Sequence, residues 1–462
     1  MEAFVSWLLV ILAALLAIPT TVLCVEIAAG LVRRQVQTSR GRDPGRRIAV
    51  LVPAHNESAT IAATLEDIKA QLRAGDRLLV VADNCTDDTA AVARLSGAEV
   101  VDRQDSGRIG KGYALDWGLR HLDKDPPDIV VMIDADCRLS EGSIARLTGA
   151  CSMTGRPVQA LDLMTAPAGS GINKLIAEFA WRVKNWVRPL GLGSLGLPCQ
   201  MAGTGMAFPW PVIRTADLAS GWIVEDLKLG LDLAAAGHPP LFCPSARVTS
   251  QFAASARGAD MQRSRWEHGH IKTILKLTPR MLCMAIARAN FSLLVLTLDV
   301  AVPPLSLLAM LLIVTCATTA VAAWFGLGLT ALIISSACLF CLATTVGLAW
   351  NKYGRGVLPA RAVLSVPLYV LAKLGLYGQV LFGKMTTQWV RTDRALDAAA
   401  LLVEQRLIDM KGMLEVVRAQ NAARQARAEG EAPTRQLAQQ RPEAKQQVLT
   451  DEPVQRPSCL AG

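Results

Sequence analysis

Val130-Val131-Met132-Ile133-Asp134-Ala135-Asp136 is the stretch from which the fold is read. Four apolar residues in a row suit a buried strand, and an extended chain points alternate side chains the same way. Asp134 and Asp136 therefore aim two carboxylates at one spot beyond the strand's end. Such a pair suits a hard divalent ion, magnesium or manganese, which in turn neutralises a diphosphate. Asp-x-Asp by itself is common in exposed turns, so its weight comes from what surrounds it.

Working outward, short apolar runs alternate with amphipathic segments. Residues 48–52, 77–82, 100–101 and 129–133 read as strands, and residues 58–73, 86–95 and 114–121 as helices. This rhythm predicts an α/β domain with a parallel sheet, and such sheets bind ligands beyond the carboxyl ends of their strands. Polar residues gather where that rule places them. The first strand runs into Pro53-Ala54-His55-Asn56-Glu57 and the second into Asp83-Asn84-Cys85-Thr86-Asp87-Asp88-Thr89. Ser58, Thr86 and Asp87 read as helix N-caps. Asp83 precedes the cap, where its carboxylate can accept from a base N–H or a ribose hydroxyl.

Three further clusters carry chemistry. In Gly107-Arg108-Ile109-Gly110-Lys111-Gly112 the phosphate-loop spacing fails, because Asp105 stands where the first glycine belongs and Gly112 where Ser or Thr belongs. Lys111 and Arg108 can still reach phosphates, or the loop is simply basic and exposed. Glu225 and Asp226 open a helix that runs through Leu227, Leu229, Leu231 and Leu233 to a stop at Gly237. A helix N-terminus favours ionised carboxylates, and one carboxylate here is placed to take a proton from a hydroxyl. In Gln262-Arg263-Ser264-Arg265-Trp266, an arginine can grip a diphosphate and an indole can stack on a sugar face, or the cluster is an interfacial anchor.

The chain has 462 residues, of which 52% are hydrophobic but only 5% aromatic, so the apolar excess is aliphatic and lies in a few long runs. Residues 4–25 are long enough to cross a bilayer. They lack the positive start and small-residue cleavage site of a signal peptide, which favours an anchor. Arg33, Arg34, Arg40, Arg42, Arg46 and Arg47 follow, and the positive-inside rule then places the N-terminus outside and the following domain in the cytoplasm. Residues 292–324 are broken by Asp299 and Pro303-Pro304, predicting an interfacial approach and one crossing, and residues 326–350 predict another that ends at Lys352, Arg355 and Arg361. Residues 363–382 carry Lys373 midway, which costs roughly 3 kcal/mol at a bilayer centre. They form either a span facing a polar cavity or an interface-lying helix. After residue 395 a helix-prone stretch gives way to a Gln-, Arg- and Ala-rich tail with the composition of disorder.

The net charge of +9 lies mostly beside apolar segments and in the tail, without interleaved aromatics. That pattern suits anionic lipid and excludes a nucleic-acid stripe. Eleven cysteines, none in a C-x-x-C pair, imply neither a disulfide framework nor a zinc site.

Asp83, Asp134-Ala135-Asp136, Glu225-Asp226 and Gln262-Arg263-Ser264-Arg265-Trp266 stand in the order D, D-x-D, E-D, Q-x-x-R-W. The order resembles the signature of the membrane-bound family-2 glycosyltransferases, among them cellulose, hyaluronan, chitin and poly-N-acetylglucosamine synthases. The resemblance implies a GT-A nucleotide-sugar-binding α/β domain flanked by transmembrane and interfacial helices, a divalent metal and an inverting mechanism. It implies donor binding by Pro53, His55, Glu57, Asp83, Lys111 and Asp134, metal binding by Asp134 and Asp136, catalysis by Asp226 with Glu225, and acceptor or pyrophosphate contacts from Gln262, Arg265 and Trp266. Residues 200–208 resemble an acceptor loop, and residues 389–394 faintly resemble a gate element of hyaluronan-type synthases. The expected organisation is an anchor at 1–32, a cytoplasmic catalytic domain at 33–270, interfacial and transmembrane helices at 271–395 and a tail at 396–462. Expected partners are a nucleotide sugar, a UDP-sugar before a GDP-sugar, a glycan or lipid-linked acceptor, the bilayer of the inner membrane and export-complex subunits. The sequence departs from the pattern in having few spans for an extruding channel and Val224 where many cellulose synthases have Thr. A scaffold that kept the fold without activity is the rival reading. A transporter is disfavoured by the scarcity of ionisable residues in the spans.

Overall fold

The computed structural model describes residues 2–32, 43, 45–253 and 255–381. Arg33, Arg34, Arg40 and Arg42, the 389–394 element and the tail after residue 395 lie outside the described residues.

Eight strands form one mixed sheet: β1 Ile48–Ala54, β2 Arg77–Asp83, β3 Glu99–Arg103, β4 Ile129–Met132, β5 Arg138–Leu139, β6 Val158–Thr165, β7 Met206–Pro209 and β8 Leu241–Gln251. Their order is β3-β2-β1-β4-β7-β6-β8-β5. The first four neighbours are parallel, β7 is antiparallel to both β4 and β6, and β8 runs parallel to β6. β1 and β4 are buried on both faces, which is why they read as unbroken apolar runs. Val50 and Val52 enter the core on one face of the sheet, while Ala49 and Leu51 enter the other, as the two-residue period requires.

Connections to the helices differ in detail from expectation. The first helix is Ile61–Lys69 with Thr60 at its N-cap, and the second is Thr89–Leu95 with Asp88 at its N-cap, so Ser58, Thr86 and Asp87 do not occupy the N-caps read for them. Asp87 instead ties two loops together, accepting from Ser58 Oγ at 2.7 Å, Ser58 N at 3.2 Å and Thr89 N at 3.0 Å. The turns after β1 and β2 pass through Asn56 (φ 56°) and Asn84 (φ 49°), left-handed positions that asparagine tolerates better than most residues.

Three described helices, Glu2–Val32, Leu305–Trp324 and Thr330–Gly354, are long and apolar enough to cross a membrane. The break at Pro303-Pro304 falls between Phe291–Ala301 and Leu305–Trp324. The described part of residues 363–382 forms no continuous span. Val366–Ala372 and Leu374–Leu381 are each too short to cross, and buried Lys373 at their junction pairs with Glu267 and donates to Ser306 Oγ at 2.9 Å.

The N-terminal helix packs directly on the helix Arg188–Ser194. A Cβ on Gly191 would lie 1.9 Å from the Glu26 carbonyl oxygen, and one on Gly30 would lie 2.4 Å from that of Val187. Only glycine permits backbones this close. At the same contact Arg188 is buried between Glu26, 2.6 Å from its Nε, and Asp299 of Phe291–Ala301. Lys352 and Tyr353, at the end of the last crossing helix, donate to the Leu31 and Gly30 carbonyls at 2.6 and 3.0 Å, so both helix ends meet on one side.

Candidate active site

β1 sends the chain to β2 on one side and has β4 on the other. The carboxyl ends of β1 and β4 therefore flank a point where connections leave in opposite directions, the place where open α/β sheets bind ligands. A cavity of about 700 Å³ lies there. Pro53, His55 and Glu57 from β1 and its following loop, Asp83 from β2 and Asp134 with Asp136 beyond β4 all line it.

Lys111, the first residue of the helix Lys111–Leu122, reaches into this cavity while Arg108 stays exposed. Lys111 Nζ lies 2.5 Å from Asp134 Oδ1 and donates to the Gly203 carbonyl at 2.7 Å. Burial works to lower this ammonium's pKa, but Asp134, Glu225 and Asp226 outweigh it and hold Lys111 above the ordinary lysine range. Asp134 is fixed on its other side, since its N–H donates to Thr204 Oγ1 at 3.0 Å. Gly203 has φ +85°, and a Cβ there would lie 3.4 Å from Asp226 Oδ2 and 3.5 Å from Lys111 Nζ. The 200–208 loop thus passes close beside both charges.

Glu225 and Asp226 occupy the first turn of Glu225–Ala235 and face the same cavity. The helix terminus favours their ionised forms, yet burial wins. It pushes Glu225 up to about 7, with Lys111 opposing, and raises Asp226 against the pull of Lys184 and Lys111. This differs from the expectation of carboxylates held ionised by the dipole, which is a weaker effect than removing the carboxylate's water.

Asp83 is buried and pairs with Arg103 Nη1 at 2.5 Å, and its carbonyl lies 2.6 Å from His55 Nδ1. Arg103, which no motif indicated, sets the carboxylate's direction. Gln262, Arg265 and Trp266 come from the helix Ala256–Lys276 and line the opposite wall. Gln262 is buried with its Oε1 unpartnered, and the Trp266 ring packs against Trp181 at a 45° tilt, centroids 5.0 Å apart.

Sequence reasoning missed the contribution of residues 158–188. Asp162 of β6 is buried in the cavity wall, accepts from Asn185 Nδ2 at 3.0 Å, and leaves Oδ1 unpartnered. Burial, reinforced by the charge of Asp134, pushes it up to about 8. The available signal was a single acid inside an otherwise apolar strand, Val158-Gln159-Ala160-Leu161-Asp162-Leu163. Lys184 and Trp181 also line the cavity. His270, whose Nε2 donates to the Val300 carbonyl at 2.9 Å, is held neutral by burial with its pKa pushed down to about 3. No set of three or more His, Cys, Asp or Glu side chains able to hold a metal is present among the described residues.

Comparison with known proteins was made against this geometry. Residues 44–269, just under half of the chain, match the family model described as Glycosyltransferase like family 2. Glucosyl-3-phosphoglycerate synthase of Mycobacterium tuberculosis is 43% identical over 98 residues, covering 20% of this chain and 29% of that protein. An uncharacterized glycosyltransferase of the same organism is 40% identical over 117 residues, 24% of this chain and 49% of the relative. The chain thus spans less than half the length of these curated relatives. Among solved structures, a mannosyltransferase of Pyrobaculum calidifontis in complex with GDP-Man and Mn2+ is 18% identical, with 80% of this chain and 99% of that one covered and a TM-score of 0.46. Glucosyl-3-phosphoglycerate synthase of M. tuberculosis with Mn2+, UDP and glucosyl-3-phosphoglycerate is 25% identical, with 50% and 79% covered and a TM-score of 0.32. The family match, joined to the α/β sheet that it overlays, supports a family-2 glycosyltransferase domain of the GT-A type over residues 44–269.

Proposed function

We propose that this chain is a membrane-embedded, metal-dependent, inverting glycosyltransferase. It takes a sugar from a nucleotide diphosphate, a UDP-sugar before a GDP-sugar, on the cytoplasmic face of the inner membrane and adds it to a growing exopolysaccharide or lipid-linked glycan. One observation carries the reading: the carboxylates of Asp134, Asp136, Glu225 and Asp226 and the ammonium of Lys111 surround one cavity at the sheet's switch point.

The carboxylates fit a cation. Asp134, Asp136, Asp162, Glu225 and Asp226 crowd the cavity, and mutual repulsion adds to burial in raising Asp162 and Glu225. Asp134 and Asp136 would hold a magnesium or manganese ion, leaving its remaining oxygen positions to water and phosphate. When bound, such an ion neutralises charge on a diphosphate leaving group. Mycobacterial and archaeal relatives crystallised with Mn2+ and UDP or GDP-Man support the same assignment. Among the chain's own groups, Asp83 with His55, Pro53 and Glu57 positions the nucleoside. Lys111 faces the diphosphate, and Arg265, Gln262 and Trp266 flank the acceptor side. Asp226 takes the proton of the acceptor O–H as its oxygen attacks the anomeric carbon from the face opposite the leaving group, with Glu225 beside it.

Membrane placement is supported by three crossing-length helices and by Lys352 and Arg355 at the end of the last one, on the side where the catalytic domain begins. The domain limits proposed are 1–32, 33–270, 271–395 and 396–462. Release of nucleoside diphosphate from a panel of UDP- and GDP-sugars by the purified full chain, with and without EDTA, tests the proposal. Turnover of one donor, lost in EDTA and in Asp136→Asn, is the expected result. Undiminished turnover in EDTA would remove the metal from the reading. No release from any donor would leave the scaffold reading standing.

A further inference from the structure

The cavity does not end at the carboxylates. Its far half is walled by Leu339, Leu342 and Val346 of the last crossing helix and by Val366 and Val370 of a short helix beside it. These five side chains are aliphatic, and Ser306, Trp350, Tyr369 and Lys373 line the same cavity beside them. A water-soluble acceptor gains nothing from the aliphatic part of that wall. Ala343, Gly347, Val363 and Pro367 line the cavity and are also exposed, so it opens between these two helices, at small or apolar residues of a crossing helix and its neighbour. A mouth so placed lies on a crossing-length helix, near the end that carries Lys352 and Arg355.

Where the aliphatic half meets the carboxylates stand two donors that this chain leaves unused. Lys184 lines the cavity with no ion pair or hydrogen bond among the described residues, its nearest aromatic neighbour being the Trp181 ring at 5.7 Å. Trp181 Nε1 is buried without a partner. A half-buried ammonium beside a buried, unsatisfied N–H gains from an anion that completes both. Burial accordingly lowers the Lys184 pKa, with the Asp226 charge opposing.

Resting on the transferase reading above, we propose that the acceptor is a lipid phosphate that enters from the bilayer, its hydrocarbon chain lying along the aliphatic wall and its phosphate held by Lys184 and Trp181 next to Asp226. A phosphate oxygen forms the new bond to the anomeric carbon, the bond from that carbon to the donor's diphosphate oxygen breaks, and its electron pair leaves with the nucleoside diphosphate. A monoester that still carries its proton gives it to Asp226. The product is a lipid-linked glycosyl phosphate.

The test uses the purified full chain in detergent, the labelled donor that it turns over, and four acceptors: farnesyl phosphate, farnesol, phosphoglycerate and a soluble oligosaccharide. Label passing into the solvent-extractable fraction with farnesyl phosphate alone, as an acid-labile product, is expected. Lys184→Gln should raise the KM for farnesyl phosphate about tenfold or more, with a smaller change in kcat. Gly347→Trp should raise the same KM by blocking the mouth. A Cβ there meets nothing within 4 Å, so the side chain starts without a clash, and a melting curve matched to the parent chain checks that the indole leaves the fold intact. Donor turnover with label confined to water-soluble product, or equal transfer to farnesol or phosphoglycerate, overturns the lipid-phosphate acceptor while leaving the transferase standing. Absence of any donor turnover overturns both.

Discussion

Replacing Arg188 by methionine tests what joins the membrane helix to the catalytic domain. The guanidinium donates to Glu26 Oε2 at 2.6 Å and to the Asp299 carbonyl at 2.9 Å, and it pairs with the Asp299 carboxylate. All three residues are nearly fully buried, and each belongs to a different helix. Methionine fills much of the volume but leaves two carboxylates facing each other without a counter-ion. Breaking a buried ion pair in this way costs about 3–5 kcal/mol. At roughly 2–4 °C per kcal/mol for a domain of this size, melting should fall by about 6–20 °C. The control is the triple change Glu26→Gln, Arg188→Met, Asp299→Asn, which removes the stranded charge and should recover most of the loss. Melting of the full chain in detergent, followed by tryptophan fluorescence and limited proteolysis between the N-terminal helix and β1, reads both. A shift below about 2 °C for the single variant, or a triple variant no more stable than the single, would refute the view that charge rather than packing sets this contact.

Other outcomes follow from the site. Asp226→Asn should lower transfer at least about a hundredfold while donor affinity barely moves. Asp83→Asn, which keeps a hydrogen-bonding partner for Arg103, should weaken donor binding and recover part of its rate at saturating donor, so a KM and kcat comparison separates the two residues. Glu225 rises from the ordinary 4.5 to about 7, so the doubly ionised pair is lost as pH falls through about 7, and because burial raises Asp226 as well the transfer rate should fall on acidification before the ordinary aspartate range is reached. Stability has the opposite sign. A carboxyl group with a raised folded pKa adds stability below its unfolded value and loses it as pH rises through the folded one. Melting of the unliganded chain in EDTA should therefore fall between about pH 5 and pH 8, and Glu225→Gln should flatten that slope. Ala74→Cys lies in an exposed turn of the catalytic domain, and its labelling by an impermeant reagent added to intact cells would contradict a cytoplasmic domain.

How far the sequence could be read depended on whether a signal was local. Buried parallel strands declare themselves, because residues such as 48–52 and 129–133 face apolar cores on both sides and leave no room for polar residues. The Asp134-Ala135-Asp136 turn and the Glu225-Asp226 pair were visible because each lies within one short segment. The order β4-β7-β6-β8-β5 was not legible, since antiparallel insertion of a four-residue strand, Met206–Pro209, depends on pairing with residues 47 to 80 positions away. Arg103 beside Asp83 was hidden for the same reason: adjacent parallel strands bring together residues 20 apart that no motif connects. The N-cap readings failed because Asp87 had a second use, bridging two loops, which competes with capping and leaves no mark on spacing.

The segment from Ile172 to Ser194 explains why so much of the site escaped a motif search. It is a helix, Ile172–Arg182, that continues through a π-helical turn, Val183–Val187, into Arg188–Ser194. A π turn inserts an extra residue per turn and rotates every later side chain relative to an ideal α-helix, so 3.6-residue periodicity read from sequence fails across it. The rotation has a use. Before and within the turn, Trp181 and Lys184 line the cavity and Asn185 holds Asp162, while Phe179, Val183 and Val187 pack with the crossing helices. One residue after the turn, Arg188 is committed to the Glu26 and Asp299 carboxylates. A single short segment thus carries both the cation offered to an acceptor and the one that fastens the N-terminal helix, four residues apart. Arg188 is fully buried with its partners built in, whereas Lys184 is half-buried and its partner is supplied from outside. Only the first is satisfied by the chain alone, and that difference gives Lys184 a part in binding and Arg188 a part in assembly.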